Sequence, residues 1–310
     1  MRLPLLSVAI ILLLSVNTTP AQNYSEYNQQ LVDEHIYQGM PGYDNILFRE
    51  AYILSYNHKH RIPNWVAYKV EPGYTNTVPR YGIFNSFRVD QNIPNPVRDQ
   101  EYVGLYNGGE GYARGHLAPF NISGGDRDGD GLYGVADTNG DGVVNADDMK
   151  DLELWEFVSD ANEISRVYEI NHLSNVAPQD HDGFNGGGGI WRDLERYIQD
   201  TVVEEQEKEV WVYAGTVLGR GEMENVGTNN DITVPPMFFK IVVRNDNHGK
   251  PLVLAFLLPH HKEAHGEIQD FLVSVDIIEA LTGLDFFSKM DEDMEGKLEA
   301  EDTWLNWGEF

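Results

Sequence analysis

Regular alternation of apolar and polar residues begins near residue 51. Tyr52-Ile-Leu-Ser-Tyr56 and Trp65-Val-Ala-Tyr-Lys-Val70 read as a hairpin across the basic turn Asn57-His-Lys-His-Arg-Ile-Pro63. The preceding stretch, 22–50, is polar with scattered aromatics and reads as a lead-in. Residues 71–110 are rich in Pro, Asn and Gly, which predicts long loops. A further strand is expected to carry Gly115-His-Leu-Ala118 and to stop at Pro119. Strand–loop–helix order resumes at Val167-Tyr-Glu-Ile-Asn171. Trp191, Leu194, Ile198 and Val202 recur at helical spacing, so 190–204 is predicted as an amphipathic helix. Val210-Trp-Val-Tyr213, Phe238-Phe-Lys-Ile-Val-Val243 and Leu252-Val-Leu-Ala-Phe-Leu-Leu258 read as strands. Phe271–Leu281 begins strand-like and ends as a helix capped at Gly283. Strands and helices mix without regular βαβ alternation, which predicts an α+β fold.

The segment 123–163 breaks this pattern with an abrupt shift to Asp and Gly. Asp137-Thr-Asn-Gly-Asp-Gly-Val-Val-Asn-Ala-Asp-Asp148 has EF-hand spacing. Asp137, Asn139, Asp141, Asn145 and Asp148 supply side-chain oxygens and Val143 a carbonyl, while Gly142 allows the sharp turn. The closing ligand is Asp rather than Glu. Upstream, Asp126, Asp128, Asp130 and Gly131 repeat the spacing, and Asp137 would close that loop too. A structural Ca2+ role is expected for this insertion, with a flexible Asp/Gly linker as the alternative. The insertion is expected to project near the substrate groove.

The N-terminus has one basic residue and then an apolar run to about residue 15, followed by Thr19-Pro-Ala21. That is the pattern of a secretory signal peptide, 1–21, and is short for a membrane span of roughly 20 residues. The chain of 310 residues contains no cysteine, so an exported product, secreted or periplasmic, relies on its core and on bound ions. Its net charge of −28 argues against a general nucleic-acid-binding surface. The charge is uneven: 123–163 carries a net −10 and 291–310 a net −7. The acidic tail from 289 is expected to be peripheral.

Candidate chemistry gathers in Gly111-Tyr-Ala-Arg-Gly-His-Leu-Ala-Pro119, in Asn171-His-Leu-Ser-Asn-Val-Ala-Pro-Gln179, and in Asn185 followed by Trp191-Arg-Asp-Leu-Glu195. His116 can take a proton from water, an amide oxygen can hold a hard divalent cation, and arginine bears on phosphate charge. This set suits metal-assisted attack on a phosphodiester. His261-Lys-Glu-Ala-His265 has two histidines but misplaces the Glu of a zinc-hydrolase motif.

These motifs resemble those of the DNA/RNA non-specific endonucleases of the ββα-metal type, the family of Serratia nuclease and endonuclease G. The family's Asp-Arg-Gly-His stands here as Ala113-Arg-Gly-His116, and its Leu-Ser-Asn-x-x-Pro-Gln block as Leu173–Gln179. The likeness extends over 51–288, through Asn64-Trp-Val-Ala-Tyr68, Val234-Pro-Pro-Met-Phe-Phe-Lys240 and Ile278-Glu-Ala-Leu-Thr-Gly-Leu284.

The resemblance implies a central antiparallel sheet with flanking helices and hydrolysis of DNA and RNA with little sequence preference. His116 would be the general base and Asn185 the ligand of one catalytic Mg2+ (or Mn2+). Glu195 would hold water bound to that ion. Asn175 and Arg114 would arrange substrate and metal, with Asn171 beside the histidine. Arg80, or alternatively Arg88, would stabilise the transition state. Ala113 in place of Asp predicts altered local hydrogen bonding, and extra glycines after Asn185 loosen the assignment of metal geometry. The acidic charge keeps open a calcium-stabilised binding protein on a degenerate nuclease scaffold, or a phosphodiesterase for small substrates.

Overall fold

The computed structural model describes residues 24–107, 110–132 and 134–307; the expected signal peptide lies outside them. Helix α1 (Glu26–His35) starts where the Ser25 hydroxyl accepts the Asn28 N–H. Strands β1 (Ile46–Phe48), β2 (Ile53–Asn57) and β3 (Ile62–Val70) follow, then a long loop region, β4 (Tyr106–Asn107) and β5 (Glu110–His116). After the Asp/Gly-rich segment come α2 (Leu154–Phe157), α3 (Ala161–Ile170), β6 (Val176–Asp180) and α4 (Ile190–Arg196), which runs on into wider π-helical turns over Tyr197–Glu205. Strand β7 (Val210–Val217), the short pair β8 (Asn225–Val226) and β9 (Ile232–Thr233), β10 (Met237–Asn245), β11 (Pro251–Pro259) and β12 (Leu272–Val273) precede α5 (Val275–Thr282) and α6 (Glu292–Glu299).

Seven strands form one antiparallel sheet in the order β1-β2-β3-β7-β10-β11-β12. Successive side chains of a strand face opposite sides, and both sides here are covered. Val66, Tyr68, Val212, Ala214, Phe238 and Phe256 pack with Val167, Trp191 and Leu194 from the helices on one side. Trp65, Ala67, Tyr213, Phe239 and Ala255 pack with Leu31, Val275, Ile278 and Leu298 on the other. Trp65 and Trp191 are fully buried; removing such a ring from water contributes on the order of 5 kcal/mol at 25 cal/mol/Å². A smaller sheet, β4-β5-β6, adds Val176 and Ala177 to the first core and carries the candidate residues Arg114 and His116.

The β2–β3 hairpin, β7, β10 and β11 lie where the alternation places them, and β12–α5 ends at Gly283, whose φ of 74° suits glycine. Four expectations need correction. Strand β5 ends at His116, so Leu117 and Ala118 lie beyond it. Val167–Ile170 is the end of α3, not a strand, because Ile164, Val167 and Ile170 share one buried helix face. The lead-in supplies α1 and an edge strand to the large sheet. The acidic tail is docked: Leu298 and Trp307 are buried, and Arg244 donates to the Trp307 carbonyl.

The Asp/Gly-rich segment is also anchored. Val135, Met149 and Phe157 enter the first core, with Phe157 edge-on to Phe84 at 6.1 Å. Its two loops repeat one hydrogen-bond pattern, eleven residues apart. Asp126 accepts from Gly129 and Gly131 N–H as Asp137 accepts from Gly140 and Gly142. Asp128 accepts from Asp130 N–H as Asn139 accepts from Asp141. Asp130 accepts from Leu132 N–H as Asp141 accepts from Val143. Asp148, fully buried, accepts from the Thr138, Asn139 and Asn145 amides, which hold its carboxyl below the usual range. Both Asp137 oxygens accept within the second loop, while in the first Asp128 converges with Asp126 and Asp130 and also with Asp160 and Glu163.

Candidate active site

Strand β5 pairs with β6 in a register that sets Ala113 opposite Gln179, Gly115 opposite Ala177 and His116 opposite Val176. A Cβ on Gly115 would land inside the Gln179 side chain, so only glycine permits this approach. His116 is buried, and its Nε2 lies 3.0 Å from Asn171 Oδ1. Asn171 donates its Nδ2 to the Phe84 carbonyl at 2.8 Å, which turns its oxygen to the imidazole. Nε2 therefore carries the hydrogen, and Nδ1 is the basic atom. Phe87 stacks on the ring at 4.9 Å. The Phe87 loop is pinned by Arg88 N–H to Asn171 O and Leu173 N–H to Arg88 O, and by the buried Arg49–Asp90 ion pair at 2.6 Å. Burial first, and then Arg80 and Arg114, hold His116 down to about 3, against the Asn171 hydrogen bond. The imidazole is therefore neutral near pH 7.

His116 opens on a cavity of about 480 Å³ that also receives Arg80, Arg114, Asn185, Glu195, Arg192 and Arg196. A second hollow of about 430 Å³ shares Arg80, Ala113, Arg114 and His181 with it, so the two form one groove. Four arginines line the main cavity against two carboxylates, Glu195 and Asp200. A chain of net charge −28 thus has a locally basic cleft. Arg80 lies 5.6 Å from the Phe87 ring and Arg114 4.4 Å; Arg114 also pairs with Asp99.

Glu195 sits on α4, whose Trp191 and Leu194 fix the helix in the core. Its Oε1 meets the buried Lys240 Nζ at 3.3 Å, and that ammonium stands 3.8 Å from the Trp191 ring centre. Burial pushes the Glu195 carboxyl up and the Lys240 amine down, and their mutual attraction opposes both. Asn185 ends a π-helical turn, His181–Asn185. Close packing of Gly186 on the His181 carbonyl and of Gly189 on the Phe184 carbonyl leaves no room for a Cβ at either position. Gly186 and Gly189 therefore close a tight turn after Asn185, while Gly187 and Gly188 face open space. Asn185 and Glu195 bring amide and carboxylate oxygens to a roomy polar cavity, a donor set that fits magnesium with retained water.

The structure brings together His116, Asn171, Arg114, Arg80, Asn185 and Glu195. It does not bring Asn175 or Arg88. Asn175 is fully buried and spends its amide on Ala118 N–H, Ala118 O and Ile170 O, bracing the end of β5 against α3. Arg88 donates to the Ser86 and Ile83 carbonyls and covers Tyr168 at 4.0 Å, away from the cavity. None of the described residues of 123–163 lines the cavity. His261–His265 forms a turn, not a helix, and His261 is exposed. Sequence reasoning missed Phe87, His181, Arg192, Arg196 and the partner role of Lys240. A lone lysine inside the apolar run Phe238–Val243, and two arginines one helical turn apart around Glu195, were the available signals.

The profile of the DNA/RNA non-specific endonucleases matches residues 31–130 and 163–293, leaving out most of the Asp/Gly-rich segment. A nuclease of Nostoc sp. is 27% identical over 316 residues, spanning 95% of this chain and 96% of that protein. A nuclease of Serratia marcescens is 25% identical, over 82% of this chain and 79% of its own. Mitochondrial nuclease EXOG of Homo sapiens is 27% identical, over 77% of this chain and 55% of that protein. Among solved structures, an EndoG/EndoGI complex superposes with a TM-score of 0.61 at 21% identity, covering 88% of this chain and 96% of that one. That likeness confirms the expected mixed fold around a central antiparallel sheet.

Proposed function

The chain belongs to the DNA/RNA non-specific endonuclease family, and on that premise we propose that it is a secreted enzyme that hydrolyses phosphodiester bonds of DNA and RNA with little sequence preference. The observation that carries this reading is the neutral, buried His116, oriented by Asn171 and facing a cavity that pairs Asn185 and Glu195 with four arginines. His116 Nδ1 takes a proton from water as the water oxygen bonds to phosphorus. The bond to the 3′ oxygen breaks, and that oxygen takes its proton from solvent, leaving a 5′ phosphate. Arg80 faces the developing charge, with Arg114, Arg192 and Arg196 holding the flanking backbone. Asn185 would hold Mg2+ or Mn2+, with Glu195 holding the water around it, and the ion when bound supplies positive charge at the phosphate and the leaving oxygen. Ala113 removes no proton carrier from this scheme.

The expected leader of 1–21 supports export, and no helix among the described residues is long and apolar enough to cross a membrane. EF-hand spacing and the repeated hydrogen-bond pattern support Ca2+ as a structural ion in the loops at Asp126–Asp130 and Asp137–Asp148.

The test is nicking of supercoiled plasmid by the mature chain with Mg2+, with Mg2+ plus Ca2+, and with EDTA, alongside His116→Ala. Magnesium-dependent cleavage that the variant loses is expected. A folded protein that cleaves neither plasmid nor RNA under any condition would overturn the reading and leave a binding scaffold.

A further inference from the structure

On the sheet face opposite the cavity, α5 and α6 bring three carboxylates together. Oxygens of Asp276, Glu279 and Glu299 lie within 4.8 Å of one another. Glu299 is 7% exposed, and its Oε1 has no hydrogen-bond partner. It occupies the last turn of α6, where the outward carbonyls disfavour an anion. Its charged neighbours are Glu279, Glu295, Asp276 and Asp285, all acidic. Among the described residues no lysine, arginine or histidine pairs with any of the five. An unpaired buried carboxylate costs several kcal/mol, so the cluster needs either a proton or a cation.

We infer that a divalent cation, calcium by its ligand chemistry, binds between Asp276 and Glu279 of α5 and Glu299 of α6 and clasps the C-terminal helix to the sheet. The ligands are hard oxygens, and opposite ligands of calcium stand roughly 5 Å apart, a span these oxygens fit. The free Oε1 of Glu299 gains its missing partner, and five like charges gain a counterion. Leu298 beside it is buried in the second core, so the ion fixes the register in which α6 docks. Without the ion, burial and the four acidic neighbours push the Glu299 carboxyl up to about 8.

Amide hydrogen exchange on the full mature chain tests this, with calcium or EDTA, for the wild type and Glu299→Gln. Calcium at ten times its Kd should slow local exchange in 292–299 by about tenfold in the wild type. The variant should show no such slowing, while the response of 137–148 stays the same in both proteins. Two results overturn the inference: α6 exchange indifferent to calcium in the wild type, or equally calcium-sensitive in the variant. Protection that appears on lowering the pH from 8 to 6, and not with calcium, would assign the cluster a shared proton instead. Should Glu299→Gln fail to fold, Glu279→Gln, at a half-buried position, takes its place with the same expected outcomes.

Discussion

Replacing Lys240 by methionine isolates the electrostatic support of Glu195. Methionine keeps most of the lysine stem's volume, so packing against Trp191 changes little. What is lost is the ammonium 3.3 Å from Glu195 Oε1. At an effective dielectric of about 20, two unit charges at that distance attract by about 5 kcal/mol. Partial solvent access to Glu195 reduces this, and breaking a buried pair typically costs about 3–5 kcal/mol. We expect a loss of about 3–4 kcal/mol at pH 8 in EDTA, or a Tm lower by about 10 °C. The sign with pH follows from Glu195. Its carboxyl already lies above the ordinary value in the folded chain, and the variant raises it further. A carboxyl raised on folding contributes stability below its unfolded pKa and loses it as pH rises through its folded pKa. The deficit of the variant should therefore shrink to about 1 kcal/mol or less at pH 5. On the proposed mechanism, which uses ionised Glu195, plasmid cleavage in saturating Mg2+ should keep a measurable maximum, but its acid limb should move to higher pH. Calorimetry at pH 5 and 8 and initial rates against pH are the measurements. An equal deficit at both pH values, with an unmoved acid limb, would refute the reasoning.

Three further outcomes are expected. His35 and His116 are held down to about 4 and about 3, chiefly by burial, so between those values and about 6.5 the unfolded chain binds protons that the folded chain does not. Their stability contribution is present above pH 6.5 and falls by about 2 kcal/mol each by pH 5; His35→Gln should flatten the descent in urea titrations, and an unchanged slope would contradict it. Gly115→Ala drives a methyl into Gln179 and should cost about 1–3 kcal/mol and displace His116, cutting cleavage at least about tenfold; adding Gln179→Ala should restore both, whereas failure of that rescue would place the constraint elsewhere. Arg80→Ala should lower kcat about a hundredfold or more, while Arg88→Ala should lower Tm and leave kcat nearly intact; the reverse pattern in steady-state cleavage would exchange their roles.

Much of the architecture was legible because it rests on local periodicity. Period-two strands such as Trp65–Val70 and the Gly283 cap declare themselves within a few residues. Val167–Asn171 misled because a short apolar run has no period of its own; only the buried partners Ile164 and Ile170 make it a helix. The tail misled because composition outweighed two residues, Leu298 and Trp307, whose burial depends on a sheet distant in sequence. At the site, His116, Asn171, Asn185 and Glu195 were readable from motif spacing. Asn175 was not, since an amide that braces two backbone segments looks the same in sequence as one that meets a ligand. The choice of Arg80 over Arg88 depends on how the 71–105 loop folds over Phe87, which no local pattern encodes.

The basic cleft within an acidic molecule makes ionic strength a selector of encounters. At about 0.01 M salt the screening length is roughly 30 Å, so an approaching polyanion feels the whole chain and is turned away. Near 0.1 M it shrinks to roughly 10 Å, and only the arginines at the cleft remain in reach. Still more salt weakens that last attraction as well. Turnover of long substrates should thus rise and then fall as salt is added, whereas enzymes with basic exteriors only slow. A surface of this kind also lacks the broad positive charge that holds nucleic acid unproductively, so contact is expected to concentrate at the cleft.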